Sequence, residues 1–508
     1  MANSYNAEKL LFRRQFILGP RFIEKFPTWN KFNLNKTLFV TLHPDLPYKQ
    51  VSKNGFTLTL LGYIINSEQI SSSDEDILYD ILSKIQKIDD IFENLTDDLG
   101  GRWILIIDDG NECKLFHDAA GLRQVCYTNE MNGEIWCAST PGIIAEELGF
   151  TIGSDALEFI NSPQWKNAHE YWWPGMTTPF REISQLLPNF YLDLKHCTYH
   201  RYWPNKYYPY PAPYKEGIKK SAELLKKLCN AAFQRFPVEG TISAGYDTRT
   251  ILAASKDFAK EIEYLTLIYW SYTQESTDSQ ISTSLLKDLN LKHKLVQCRK
   301  ECSPEFWEIY KRNVTTAHLA YASINETLME YFPQEKVAIK GTVSSEIIRE
   351  QYIDKTRKKD GKNFAQISGF NGNKFMEKHL QIWLDEALPY AKKFNVNINE
   401  LYGWEQQTGR WQAMTQAEGD IAQEVFVPFN CRNLIMYMLQ VHDKYRRPFY
   451  YKLYEEMVKY NWLECNAYPM NPHKRGWKPQ LKNILRQSGF YPFFITLFYK
   501  FHKQKSHI

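Results

Sequence analysis

The sequence predicts an α/β protein in two parts, and three observations predict it. The first 150 residues are dominated by β-branched and aromatic runs with helical interludes. Beyond about residue 215, helix-period and strand-like stretches alternate, the pattern of a parallel sheet flanked by helices. Between them lies RYWPNKYYPYPAPY (201–214), whose prolines at 204, 209, 211 and 213 forbid a continuous helix and suit an exposed connection. That passage sets the boundary between a part spanning 1–205 and a part spanning 206–508, each large enough for its own core.

In the first part FTLTLLGYII (56–65), RWILIIDD (102–109) and ECKLFHD (112–118) have strand composition. DEDILYDILSKIQKIDDIF (74–92) places Ile77, Ile81, Ile85 and Ile88 at helical spacing. QVCYT and EIWCAST predict two more strands meeting at a glycine-containing turn. In the second part KEGIKKSAELLKKLCNAAFQRF aligns Ile218, Ala222, Leu225, Cys229, Ala232 and Phe236 on one helical stripe. VEGTIS, IEYLTLIYW, HKLVQC and KVAIKG read as strands, with DTRTILAASKDFAK and DSQISTSLLKDLN as helices between them. From about residue 355 the chain reads as mainly helical.

Bulk properties narrow the function. At 44% apolar, 24% charged, 15% aromatic and a formal charge of +4, the chain has no general nucleic-acid signature. Nine cysteines form no CxxC pair, and Cys298, Cys302 and His293 lack the remaining ligands of a zinc site, so a reducing, cytoplasmic compartment is expected. MANSYNAEKLLFRRQF lacks a signal peptide's apolar stretch. FYPFFITLFYKFHKQK near the end is too short to span a bilayer. It reads either as a terminal helix docked on the body or as a segment making peripheral membrane contact.

The chemistry concentrates in Thr241-Ile242-Ser243-Ala244-Gly245-Tyr246-Asp247-Thr248-Arg249. A strand ends, a turn of small residues follows, and a helix begins, so backbone N–H groups and the positive helix end converge on one point. Small side chains let an anion approach, Ser243 and Thr248 add hydroxyls, and Asp247 suits the magnesium that accompanies ATP. The competing reading is an ordinary strand-to-helix turn with Asp247 as the helix cap. Arg249 either meets a substrate anion or projects outward from the helix.

This stretch resembles the PP-loop of the asparagine synthetase family, Ser-Gly-Gly-x-Asp-Ser/Thr, matching at Ser243, Gly245, Asp247 and Thr248 and departing at Ala244. Further stretches follow in family order: LPNFYLDLKHCTYHRYWP (187–204), GTVSSEIIREQY (341–352), EVFVPFN (424–430, with Phe426 where arginine is usual) and PMNPHKRGWK (469–478). In the N-terminal half LLGYIIN, FHDAAGLRQVCYT and EIWCASTPGIIAEELG are similar to the family's glutaminase domain, keeping Asp118, Gly121 and Tyr127.

The resemblance implies an Ntn-type α/β/β/α sandwich, then a Rossmann-like ATP-pyrophosphatase domain with a helical C-terminal half. It implies ATP and Mg2+ as cofactors, with the β- and γ-phosphates held at the loop Ser243, Ala244, Gly245, Tyr246, Asp247 and Thr248, the adenine side lined by Ile242 and Leu267, and Gly341 in the second nucleotide loop. Asp247 and Glu346 are the implied metal ligands, and Glu346 and Lys474 the implied catalytic residues. Two departures bear on chemistry. Ala2 stands where the family's glutaminase carries a cysteine nucleophile, and a methyl group cannot attack an amide, so glutamine hydrolysis is expected to be lost. In the second loop Ser345 replaces the usual aspartate, leaving Glu346 either to take the metal or to pair with Arg349.

The implied activity is adenylation of a carboxylate on a small molecule, peptide or glycan, followed by attack of ammonia or a substrate amine, as in β-lactam synthetases and lasso-peptide cyclases. The rivals are a nucleotide-binding or scaffold protein that has abandoned catalysis and a PP-loop RNA-modifying enzyme. The latter would need a reactive cysteine pair and a basic face. Asp247→Asn is expected to abolish magnesium-dependent nucleotide binding and leave apo melting nearly unchanged.

Overall fold

A computed structural model describes residues 6–129, 134–168, 170–349, 358–447 and 451–472. The architecture is mixed α/β, with three sheets among the described residues. Two are six-stranded and antiparallel. One runs in the order Ile183–Gln185, Cys126–Thr128, Cys137–Ala138, Phe16–Gly19, Phe39–Leu42, Asn30–Asn33. The other runs Thr198–Arg201, Phe190–Asp193, Cys113–His117, Leu99–Asp108, Phe56–Asn66, Tyr48–Lys53.

Alternation along the long strand Phe56–Asn66 shows how these sheets pack. Leu61, Tyr63 and Ile65 join Phe16, Leu18 and Val40 of the first sheet in one core cluster. Leu58, Leu60 and Ile64 point the other way, onto Ile77, Leu78, Ile81 and Leu82 of the helix Asp74–Lys84. Ile17 and Ala138 of the first sheet meet Ile143 and Ile144 of the helix Pro141–Leu148 on its outer side.

The third sheet is five-stranded and wholly parallel, in the order Lys292–Gln297, Glu263–Ile268, Val238–Thr241, Val337–Ile339, Glu424–Phe426. The helix Tyr214–Arg235 buries Ile218, Ala222, Leu225, Cys229 and Ala232, the stripe its period predicts, while Phe236 falls just past its end in extended backbone. Beyond residue 358 the described chain is helical apart from the short strand Glu424–Phe426.

Two local expectations change. The helix predicted over 74–92 stops at Lys84, Ile85 is extended, and Ile88–Phe92 forms a separate tight turn of helix. Burial still takes Ile85 and Ile88 into the core, so the apolar spacing marked a buried face without marking one continuous helix. The Pro/Tyr-rich passage is not exposed throughout either. Trp203 and Tyr208 are buried, with Trp203 Nε1 donating to the Tyr208 hydroxyl at 2.6 Å, while Tyr207 and Tyr210 face solvent. Its large aromatic side chains have more to gain from burial than a linker's polar residues would.

The last strand of the parallel sheet is clasped by the antiparallel sheets. Arg102 donates to Asp420 at 2.7 Å and to Glu424 at 2.9 Å, and Arg123 grips Glu424 at 3.1 Å. Tyr63 donates to the Val425 carbonyl at 2.7 Å. Burial, which alone would raise the Glu424 carboxyl, is outweighed by Arg123, Arg102 and Arg14, which hold it down at about 2. Among the described residues, no helix is long and apolar enough to cross a membrane.

Candidate active site

The parallel strand Val238–Thr241 leads through Ile242–Gly245 into the helix Tyr246–Ala254, at the carboxyl edge of the sheet, where open α/β sheets place ligands. Ile242 continues the ladder, its N–H donating to the Leu265 carbonyl at 2.9 Å, and the next strand carries half-buried Leu267. The turn is tied from within. Ser243 N–H donates to Thr248 Oγ1 at 3.1 Å, and Gly245 N–H to Ser243 Oγ at 3.1 Å. Ala244 N–H donates to Asp278 Oδ1 at 2.7 Å. Burial raises the Asp278 carboxyl, opposed by that amide and by Arg249.

Gly245 is the N-cap and, among the described residues, no side chain caps the helix, so Asp247 does not serve as the cap that the competing reading gave it. The amides of the first turn, Tyr246 to Thr248, are therefore the donors left over for a ligand. Tyr246 itself is buried, its ring 5.0 Å from that of Tyr451.

The second loop closes over this turn. It follows the strand Val337–Ile339 and enters a short helix, Ser344–Ile347. Gly341 lies flat against the first loop: a Cβ there would sit 2.9 Å from Asp247 Cβ and 3.1 Å from Thr248 N, so a side chain would push the loops apart. Val343 has φ +78°, a backbone conformation that suits glycine better than a β-branched residue.

Asp247 is committed to partners. Arg349 Nη2 approaches its Oδ2 at 2.5 Å, and the Ser344 hydroxyl donates to its Oδ1. Ser344 Oγ in turn lies 3.0 Å from the Tyr454 hydroxyl. Burial would lower the Arg349 guanidinium, but Asp247 outweighs it and holds the group charged. The alternative pairing of Glu346 with Arg349 is thus not made, and Arg349 pairs with Asp247 instead. Glu346 is buried, touches the Ser345 hydroxyl through one oxygen and, among the described residues, leaves Oε2 without a partner. Burial first, and the Asp247 charge second, lift its carboxyl to about 7.

Other residues fall differently. Arg249 does not project outward and, among the described residues, forms no ion pair: it is wholly buried, and its Nη1 donates to the Cys465 and Tyr468 carbonyls at 2.9 and 3.1 Å, pinning the 465–468 turn behind the loop. Asn471 N–H donates to the Ala244 carbonyl at 2.9 Å, bringing the same segment over the loop's outer side. Lys474, Ala2 and the aromatic stretch 490–505 lie outside the described residues.

Lys340 is a residue the sequence reading missed. It follows the strand Val337–Ile339 immediately before Gly341, and burial, with Arg102 adding, pulls its amine down to about 8. A lysine closing an apolar parallel strand beside a glycine was the available signal.

A divalent cation fits this donor set. Two carboxylates adjoin, with the Asp247 charge raising the cost of ionising Glu346, and among the described residues Glu346 Oε2 is a buried oxygen without a partner. Hard oxygen donors of this kind suit Mg2+, provided Arg349 yields its share of Asp247.

No protein-family model and no curated protein matches the sequence. Solved structures match loosely. The glutamine-dependent NAD+ synthetase from Acinetobacter baumannii, in complex with ADP, is 14% identical over 34% of this chain and 33% of that one, at a TM-score of 0.19. The glutamine phosphoribosylpyrophosphate amidotransferase from B. subtilis, complexed with ADP and GMP, is 13% identical over 66% and 77%, at 0.24. The NH3-dependent NAD synthetase from Campylobacter jejuni is 13% identical over 39% and 90%, at 0.20. The chain spans about a third of the Acinetobacter enzyme it matches, and at these TM-scores the likeness carries no argument about function.

Proposed function

We propose that the chain is an AMP-forming carbon–nitrogen ligase of the asparagine synthase type, with an Ntn-like N-terminal part that no longer hydrolyses glutamine and a PP-loop synthetase part. The observation that carries the reading is the junction of the two loops. An uncapped helix start at a parallel sheet's carboxyl edge, a glycine of the second loop pressed on it, and two adjoining carboxylates meet at one place, where a phosphate chain with its metal would find both its donors and its ligands.

In this reading a substrate carboxylate oxygen attacks the α-phosphorus of ATP, pyrophosphate leaves, and an acyl-adenylate remains. Ammonia or a substrate amine then attacks the acyl carbon, loses a proton, and expels AMP. Asp247 and Glu346 would hold Mg2+, which supplies neutralising charge to the phosphates. The chain's own part is positioning and charge stabilisation. Ser243 and Thr248 offer hydroxyls to the phosphate chain, the amides of Tyr246 to Thr248 point at it, and Lys474 would meet charge on the activated acyl group. The carboxylate belongs to a small molecule, peptide or glycan, and no nucleic acid is involved.

One observation favours the rival, a nucleotide-binding or scaffold protein without catalysis: the Arg349 ion pair already occupies Asp247. Exchange of labelled pyrophosphate into ATP separates the two. With a panel of carboxylates and Mg2+, the ligase exchanges label in the presence of at least one, and Ser243→Ala with Thr248→Ala abolishes it. Tight ATP binding with no exchange for any carboxylate would leave the scaffold reading standing.

A further inference from the structure

We propose that the cleft between the helix Lys374–Phe394 and the segment 175–187 is a second ligand site, built for a small ring-bearing monoanion. It neither rests on the ligase reading nor shares a residue with the two loops. The cavity measures 330 Å³, the size of a small-molecule pocket.

Its helical wall is one face of the helix, with Phe375, Lys378, His379, Ile382, Trp383 and Glu386 recurring at three- and four-residue spacing. The opposite wall is held in shape before any ligand arrives. Gly175 N–H donates to Gln406 Oε1 at 2.8 Å, buried Arg410 donates to the Trp173 carbonyl at 2.8 Å and to the Thr177 carbonyl, and the Thr178 hydroxyl bridges back to the Ile183 carbonyl at 2.7 Å. Gly175, at φ +62°, lies so close to the helix that a Cβ would stand 3.1 Å from the His379 carbonyl oxygen. This is a preformed wall, so little ordering cost remains for binding.

Charge and shape then name the ligand class. At one lip stand Arg181 and Lys378, both exposed, and among the described residues neither side chain has a hydrogen-bond or acidic partner. The lip's carboxylate is Asp155, which accepts the Ala156 N–H at 3.1 Å and, among the described residues, forms no ion pair with either cation. His379 stays neutral there: burial, with Lys378 adding and Asp155 opposing, draws it down to about 4. Two cations against one carboxylate leave the lip one positive charge in excess. At the far end Arg201 is shared between Glu386 at 2.6 Å and buried Glu405 at 2.5 Å, so the cleft's negative charge sits away from the lip, and that guanidinium covers the Phe190 ring at 4.3 Å. The floor between is aromatic, with Phe190 and Trp383 both buried. A flat ring on that floor with a single anionic group at the lip satisfies both features.

Calorimetric titration of the full chain with phenylacetate, phenyl phosphate, benzyl alcohol and benzylamine tests this. One or both anions bind, and which one distinguishes a carboxylate from a phosphate ligand. Benzyl alcohol binds about ten-fold more weakly, the difference one charge-assisted hydrogen bond makes, and benzylamine more weakly still. In Arg181→Gln/Lys378→Gln the anions fall to the level of the alcohol, while the alcohol itself is unchanged, and Asp247→Asn leaves all four affinities as they were. The proposal is overturned if the amine or alcohol matches the anions, if the double variant binds the anions normally, or if no probe binds at millimolar concentration.

Discussion

Replacing Glu346 by glutamine is expected to stabilise the ligand-free protein above neutral pH, because the site holds a carboxylate that its surroundings resist charging. The carboxyl rises from its ordinary 4.5 to about 7, driven by burial and then by Asp247. At about 1.4 kcal/mol per unit, that displacement is worth about 3 kcal/mol. The sign follows from which state takes the proton. Below 4.5 the group is protonated folded and unfolded, and nothing is lost. Between 4.5 and about 7 the unfolded chain ionises while the folded one does not, so the penalty grows, and above about 7 it is complete. Glutamine has nearly the same shape, keeps an oxygen for the Ser345 hydroxyl and carries no charge. The thermal midpoint of Glu346→Gln should therefore exceed that of the wild type at pH 8 and approach it at pH 5. Magnesium with ATP should raise the wild type and leave the variant behind, since the uncharged amide is a poor ligand for the ion. A variant that melts lower than the wild type at pH 8, or by the same margin at both pH values, would refute this account of the carboxylate.

Asp247→Asn should abolish magnesium-dependent nucleotide binding. It should also lower the apo melting point, contrary to the unchanged melting expected from sequence, since it strands the Arg349 guanidinium at a cost of about 1–3 kcal/mol. Adding Arg349→Met should recover most of that stability without restoring nucleotide binding, as differential scanning calorimetry and titration would show. Glu424→Gln should destabilise the protein by about 3 kcal/mol at pH 7 by leaving Arg102 and Arg123 short of a carboxylate. Because the Glu424 carboxyl is held down at about 2, its contribution is complete above 4.5 and fades as pH falls toward 2. The gap between variant and wild type should narrow over that interval in an acid titration followed by circular dichroism.

What the sequence determined by itself was local and periodic. Alternation in FTLTLLGYII, the stripe from Ile218 to Ala232 and the small residues between Thr241 and Tyr246 each specify a strand, a buried helix face and a turn, because neighbours in the chain decide those shapes. Periodicity could not say where the 74–92 helix breaks, since Ile85 and Ile88 are buried whether or not the helix continues.

Pairings between distant residues were decided by the tertiary structure alone. Nothing in the spacing of Glu346 and Arg349, one helical turn apart, reveals that Arg349 belongs to Asp247, about a hundred positions earlier. Nor does Arg249, on an otherwise amphipathic helix, announce that it turns inward to the carbonyls of Cys465 and Tyr468. The cleft beside Lys374–Phe394 joins residues from 155 to 386, and no single stretch carries its signature. Burial and charge act through space, and a carboxylate's partner is set by whichever cation the packed chain brings within about 4 Å of it.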